Sequence, residues 1–342
     1  MSTVRHAYLG TSEFAATVLR ALGGSEHRPA LVVTPPDRPK GRGRKTQPPP
    51  VALAARELEI DLLQTESVNE AGSLARIRDA RPTLATVCAF GQLIREPLLS
   101  EIPLLNAHPS LLPRWRGAAP IERAIMAGDE RTGVTVIRLV EALDAGPMAL
   151  AEPVSIGSDE SYGELADRLA GVAGSLLARV LDQLAAGELA LTDQDDAAAT
   201  YAEKIDAADR RLEPSRPAVE LAAQVRALTP HIGAYLELDG GQRLGVSSAG
   251  AEAAAAGSGP GVDSGAVAGG SADALGTSGP LAPGRLDFDE DVLRLGTAEG
   301  ALVLREIRPA GGRAMSPADY LRGNVLPEQV GVRPLAEDGG AG

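Results

Sequence analysis

The stretch VRHAYLGTSEFAATVLRAL, residues 4–22, decides the fold class. Residues 4–9 read as a buried strand, and Gly10 ends it. Apolar residues then recur at helical spacing over 13–22. Thr11 or Ser12 is placed to cap that helix, because a short hydroxyl side chain accepts from the orphaned N–H groups of a first turn. A buried strand, a tight turn and an amphipathic helix predict an α/β fold with a doubly wound, mostly parallel, Rossmann-like sheet. Only Gly10 stands where a dinucleotide fingerprint needs three glycines, so NAD is not expected.

Further strands extend this pattern. Residues 30–34 read as the second strand. Residues 84–89 are a nearly continuous apolar run, suited to a parallel strand covered on both faces. Residues 102–107 form the next strand and deliver Asn106 and His108 at its end, where ligands bind in open α/β sheets. The run from 106 to 121 is NAHPSLLPRWRGAAPI. Residues 133–140 alternate as a strand, and Asp144 lies just beyond. An amide, an imidazole and a carboxylate are the parts acyl transfer needs: an oxyanion donor, an acid or base, and a group to hold it. The same residues also fit a buried loop in which Asn106 and His108 only satisfy backbone groups.

Composition narrows the function classes. The chain has 342 residues, enough for two domains with their own cores. A net charge of −13 argues against a general nucleic-acid binder. The single Cys88, in an apolar run, excludes an intramolecular disulfide, and the four His are not spaced as metal ligands, so no metal is expected. No run approaches the ~20 apolar residues of a membrane span, and the N-terminus lacks a signal-peptide core. A cytoplasmic monomer is the expectation.

One segment runs against the acidic background. PPDRPKGRGRKTQPPP, residues 35–50, carries Arg38, Lys40, Arg42, Arg44 and Lys45 against Asp37 alone. It has no face to bury and reads as an extended, solvated loop. It is either a plain charge run or a phosphate-seeking finger.

In the rest of the chain, 69–80 reads as a helix with Asn69 as its cap, and a long helix ends at Gly187. Residues 189–199 are polar and Ala-rich, a linker. A helix at 219–228, a hairpin at 233–246, strands at 292–295 and 301–307, and a helix at 317–321 follow. Residues 247–284 are almost all Ala, Gly and Ser, with too little apolar bulk to offset ordering entropy, and read as a disordered insertion.

Asn106, His108, the Ser110-Leu111-Leu112-Pro113 corner and Asp144 resemble the active-site set of folate-dependent formyltransferases. The string SLLPRWRGAAPI resembles the members of that family that act on an aminoacyl-tRNA. The basic loop and TYAEKIDAADRRLEPSRPA, residues 200–218, resemble the same members in the same order, so the likeness spans about 4–324.

The resemblance implies a formyltransferase domain at 1–189, a linker at 190–205, a tail at 325–342, and an OB-like tRNA-binding domain at 206–324 that contains the 247–284 insertion. It implies Asn106, His108 and Asp144 as catalytic residues. Ser110 to Pro113 with Phe90 and Gly91 would line the folate site, and the five basic residues would contact tRNA. The implied substrates are 10-formyltetrahydrofolate and initiator methionyl-tRNA. Ser12 stands where the family usually has Pro, and Pro214 where Trp is common. Thr229, His231 and Ile232 also depart, which touches the tRNA surface rather than the chemistry. A sibling transferase using a small amine, a formyl-folate hydrolase, and an RNA-binding protein without activity are the competing readings.

Overall fold

The computed structural model of the chain describes residues 3–40, 45–238, 241–253, 281–289 and 291–330. In chain order the elements are β1 (His6–Gly10), α1 (Glu13–Gly23), β2 (Leu31–Thr34), β3 (Arg38–Lys40), β4 (Lys45–Gln47), α2 (Pro50–Glu57), β5 (Leu62–Gln64), α3 (Ala71–Asp79), β6 (Leu84–Cys88) and α4 (Leu98–Glu101). There follow β7 (Leu104–His108), β8 (Arg116–Gly117), α5 (Pro120–Met126), β9 (Arg131–Arg138), β10 (Met148–Ser155), α6 (Tyr162–Ala186) and β11 (Tyr201–Ala202). The last are α7 (Ala218–Leu228), β12 (Ala234–Glu237), β13 (Arg243–Glu252), β14 (Leu286–Asp289), β15 (Val292–Gly296), β16 (Ala301–Arg308) and α8 (Pro317–Leu321). They divide into two units. One takes the chain up to Ala124 with Asp129–Lys204, the other Ile125–Gly128 with the chain from Ile205.

The first unit is built on a sheet in the order β10-β9-β7-β6-β1-β2-β5. Pairing is parallel from β7 through β5, while β9 and β10 run antiparallel. Every residue of β1, β2 and β6 is buried, which is why these strands read as continuous apolar runs. Strand order reverses between β1 and β6, the place where such sheets open a crevice at the carboxyl ends of their strands.

Ser12 is the cap of α1, its Oγ accepting from Ala15 N at 3.3 Å. Thr11 instead donates to the Phe90 carbonyl across the crevice. Helix α6 starts with a capping box of Ser161 and Glu164 and stops at Gly187, φ 73°. It is the one described helix long and apolar enough to cross a membrane by length and composition, which reading for uninterrupted apolar runs did not expect. Its Leu165, Leu169, Leu176 and Leu177 are fully buried within the protein, each contributing about 1.5–3 kcal/mol. A Cβ added at Gly174 would lie 2.7 Å from the Ala21 Cβ, so glycine sets the close approach of α6 to α1.

Three local expectations are corrected. Asn69 does not cap α3, which starts at Ala71 with Glu70 in the cap position. Its amide instead donates to Leu93 O at 2.8 Å and accepts from Arg95 N at 2.9 Å. That uses both ends of the amide, where a cap would use one. The basic segment is a hairpin and not an irregular loop: β3 and β4 pair as Arg38↔Gln47, Pro39↔Thr46 and Lys40↔Lys45. A hairpin satisfies backbone groups within itself and needs no buried face. Arg42 and Arg44 lie outside the described residues. The segment at 190–205, expected to be a linker, runs up to Lys204 in the first unit and is hydrogen-bonded to it.

The second unit is an antiparallel sheet in the order β12-β13-β16-β15-β14, with α7 and α8. Its core gathers Leu221, Val225, Leu236, Leu244, Leu302 and Leu304. The expected insertion begins later than composition suggested, because β13 continues to Glu252, paired with Ala301. Small residues hold a strand there because backbone pairing to β16 requires no bulk, and β16 supplies Leu302 and Leu304. Residues 254–280 lie outside the described residues. The expected tail is in part structural: Leu326 packs on the core, and Val330 is buried with its N–H on Gly284 O at 2.7 Å. Residues 331–342 lie outside the described residues.

Candidate active site

Two residues apart on β7, Asn106 and His108 share one face at the strand's carboxyl end. The register on β9 sets Asn106 opposite Ile137 and His108 opposite Thr135. His108 is buried, and its Nε2 lies 2.9 Å from the Trp115 carbonyl oxygen. A carbonyl only accepts, so Nε2 carries a proton, and Nδ1 is the nitrogen left for chemistry. Nδ1 faces Asp144 Oδ2 at 3.6 Å, too long for a hydrogen bond and short enough to tighten around a substrate.

Asp144 adopts φ 47°, a left-handed conformation that few non-glycine residues hold unaided. Its Oδ2 accepts from Gly117 N at 2.9 Å. The side-chain amide of Asn106, half-buried, has no hydrogen-bond partner among the described residues and is free to donate.

The corner after His108 is held by hydrogen bonds within itself and to β9. Ser110 Oγ donates to Arg114 O at 2.7 Å, and Thr135 Oγ1 donates to Ser110 O at 2.7 Å. Leu112 N donates to Thr135 Oγ1 at 3.1 Å, and the Leu112–Pro113 peptide is cis. Ser110 and Leu112 are buried, leaving Leu111 and Pro113 half-exposed at the surface of the corner.

Phe90 is buried and packs in a core with Leu9, Val87 and Leu98, while Gly91, φ 73°, is exposed. Cys88 is no nucleophile, since burial pushes its thiol up to about 12. Among the described residues no group of three His, Cys, Asp or Glu could hold a metal ion.

Arg38 and Lys45 are exposed, and Arg38 Nη2 reaches Glu66 at 2.8 Å. Several positioning groups escaped sequence reasoning. Trp115 supplies its carbonyl rather than its ring. The indole Nε1 donates to Asp129 Oδ2 at 2.8 Å, and the Arg114 guanidinium lies over the ring at 4.4 Å while also binding Asp129. Gly117 and Thr200 fall within the quoted strings but nothing there marks their contacts, and Thr135 and Gln194 lie in no motif. Their contacts come from residues distant in sequence, so no local signal marks them.

Residues 4–181 match the formyl transferase family, and residues 204–325 match the formyl transferase C-terminal domain. Asn106, His108 and Asp144 all lie within the stretch that matches the formyl transferase family. The methionyl-tRNA formyltransferase of Sinorhizobium medicae is 39% identical over 333 residues, covering 96% of this chain and 99% of that one. That of Halorhodospira halophila is 40% identical over 325 residues, covering 94% and 97%. The chain belongs to the methionyl-tRNA formyltransferase family. Among solved structures, HypX from Aquifex aeolicus in complex with tetrahydrofolic acid superposes with a TM-score of 0.60 at 16% identity. The match covers 94% of this chain and 47% of that one, and it speaks to the fold.

Proposed function

We propose that this chain transfers the formyl group of 10-formyltetrahydrofolate to the α-amino group of methionyl-tRNA, giving N-formylmethionyl-tRNA for translation initiation. The observation that carries the reading is Asn106 and His108 on one strand end, with Asp144 3.6 Å from the imidazole, in a chain of this family. The neutral amine attacks the formyl carbon, forming a C–N bond and a tetrahedral oxyanion. The Asn106 amide donates to that oxyanion. With Nε2 committed to Trp115, His108 donates through a proton on Nδ1. Collapse breaks the bond from carbon to N10. The amine has lost one proton and N10 gains one, a relay assigned to Asp144 through water.

Leu111 and Pro113, with Ser110 and Leu112 beneath them and the backbone at Phe90 and Gly91, border the folate. Arg38, Lys40, Arg42, Arg44 and Lys45 contact the phosphates of the acceptor tRNA. Residues 206–324 form an OB-like unit that also serves tRNA, and the protein acts as a cytoplasmic monomer.

A formylation assay with 10-formyltetrahydrofolate and methionyl-tRNA, run beside free methionine, tests the reading. Product on the tRNA alone is the expected result. Folate turnover without formylmethionyl-tRNA would leave the site chemistry standing and overturn the acceptor.

A further inference from the structure

Gln194 lies outside the catalytic loops yet bonds to both. Its Nε2 donates to the Asp144 carbonyl and to the Gly146 carbonyl, each at 2.7 Å. Its Oε1 accepts from Arg116 Nε at 3.0 Å. Arg116 is itself buried and held by Asp196 at 2.7 Å. It stands between Trp115, whose carbonyl orients the His108 ring, and Gly117, whose N–H binds the Asp144 carboxylate. One side chain thus ties the loop carrying the carboxylate to the loop that orients the imidazole.

The segment around Gln194 is anchored at both ends. Thr192 and Met148 exchange backbone hydrogen bonds of 2.8 and 2.9 Å. Thr200 Oγ1 accepts from Trp115 N at 2.9 Å, Thr200 O accepts from Arg116 N at 2.8 Å, and Ala202 O accepts from Ala118 N at 2.8 Å. At Gly117, φ 121°, a Cβ would lie 2.8 Å from Ala202 O, so a larger residue would push the segment away.

We infer that Gln194 is a positioning residue for formyl transfer, setting the separation of Asp144 from His108 from outside the site. The inference rests on the function proposed above. Both of its amide hydrogens go to the one loop whose backbone is left-handed at Asp144, a conformation that persists only when its surroundings hold it. Loss of the two donors frees the Asp144 loop to relax away from His108.

The test uses the full chain and the variants Gln194→Ala and Gln194→Glu, each with Asp144 intact and in an Asp144→Asn background. Glutamate keeps an oxygen for Arg116 but cannot donate to two carbonyls, so it isolates the link to the Asp144 loop and preserves the anchor. Melting temperatures, steady-state kcat and KM for both substrates, and single-turnover rates are measured. Both variants are expected to lose kcat by ~10–100-fold with each KM within ~3-fold, because ~1 Å of misplacement costs on the order of 10²-fold. In the Asp144→Asn background the Gln194 effect is expected to shrink below ~3-fold, since groups acting as one unit are not additive. The same loss in both backgrounds overturns the inference, as do variants as fast as an active parent. A parent without formyl transfer overturns the proposed function and this inference with it.

Discussion

Gly146 closes the loop that carries Asp144, and its replacement by alanine offers a test whose size comes from the structure. A Cβ built at Gly146 would lie 1.8 Å from the carbonyl oxygen of Arg138 and 3.0 Å from its carbonyl carbon. The obstacle is backbone of β9, itself tied by Arg138 N to Pro147 O at 2.9 Å and paired with Leu105 of β7. It cannot swing aside as a side chain would. Real Cβ atoms keep at least 3.0 Å, so the loop must recede by about 1.2 Å. Asp144 is two residues upstream and moves with it, widening a separation that is already 3.6 Å. A displacement of ~1 Å costs on the order of 10² in rate, equivalent to about 2.7 kcal/mol of barrier. Overpacking of this kind costs about 1–3 kcal/mol of stability, which leaves a typical domain folded. The assay is kcat and KM for formylation of methionyl-tRNA, beside a thermal melt. Gly146→Ala is expected to lose about 10²-fold in kcat while remaining folded. A folded variant within ~3-fold of the parent would show that the Asp144 position does not limit turnover.

Four further outcomes are expected. Asn106→Ala should lose ~10²–10³-fold in kcat, the cost of one oxyanion donor, with little change in melting temperature because its amide has no partner among the described residues to leave unsatisfied; near-normal turnover would remove Asn106 from the mechanism. His6 is buried with Nε2 on His27 O at 2.8 Å and Nδ1 beside Thr86 Oγ1 at 3.0 Å, and burial holds its pKa below the usual histidine value. Below about pH 6.5 the unfolded chain therefore binds a proton that the folded chain does not, and stability falls as pH falls. Urea midpoints at about pH 5 and 7 should differ less for His6→Gln than for the parent, and equal differences would assign the acid sensitivity elsewhere. Cys88, its thiol pushed up to about 12, should resist a thiol reagent near pH ~8 until the chain is unfolded; rapid modification of the native protein would contradict its burial. Gly171 is exposed on α6 with no heavy atom within 4 Å of a built Cβ, so Gly171→Ala should raise stability by roughly 0.5–1 kcal/mol and leave formylation unchanged.

The sequence by itself determined the parallel core, the strand that ends in Asn106 and His108, and the placement of both on one face. These follow from short-range rules: an apolar run for a strand buried on both sides, and a period of two for side chains sharing a face. It also determined the stop of α6 at Gly187 and the position of α8, since caps and helix starts are written within a few residues. Asp144 was legible as a carboxylate just beyond a strand and its catalytic role came from the family resemblance, but nothing in its neighbours announces a left-handed residue beside a histidine 36 positions away. The tertiary structure alone decided which ring nitrogen of His108 is free, since a backbone carbonyl settles it and carbonyls have no sequence signature. It also decided that the ring of Phe90 belongs to the core, that Asn69 bridges a loop instead of capping a helix, and that the basic segment pairs as a hairpin. The polar stretch around Gln194 looks like a linker because composition records only its small and acidic residues. Its hydrogen bonds reach partners 50, 78 and 85 positions away, and contacts of that span exist only once the sheet has brought the loops together.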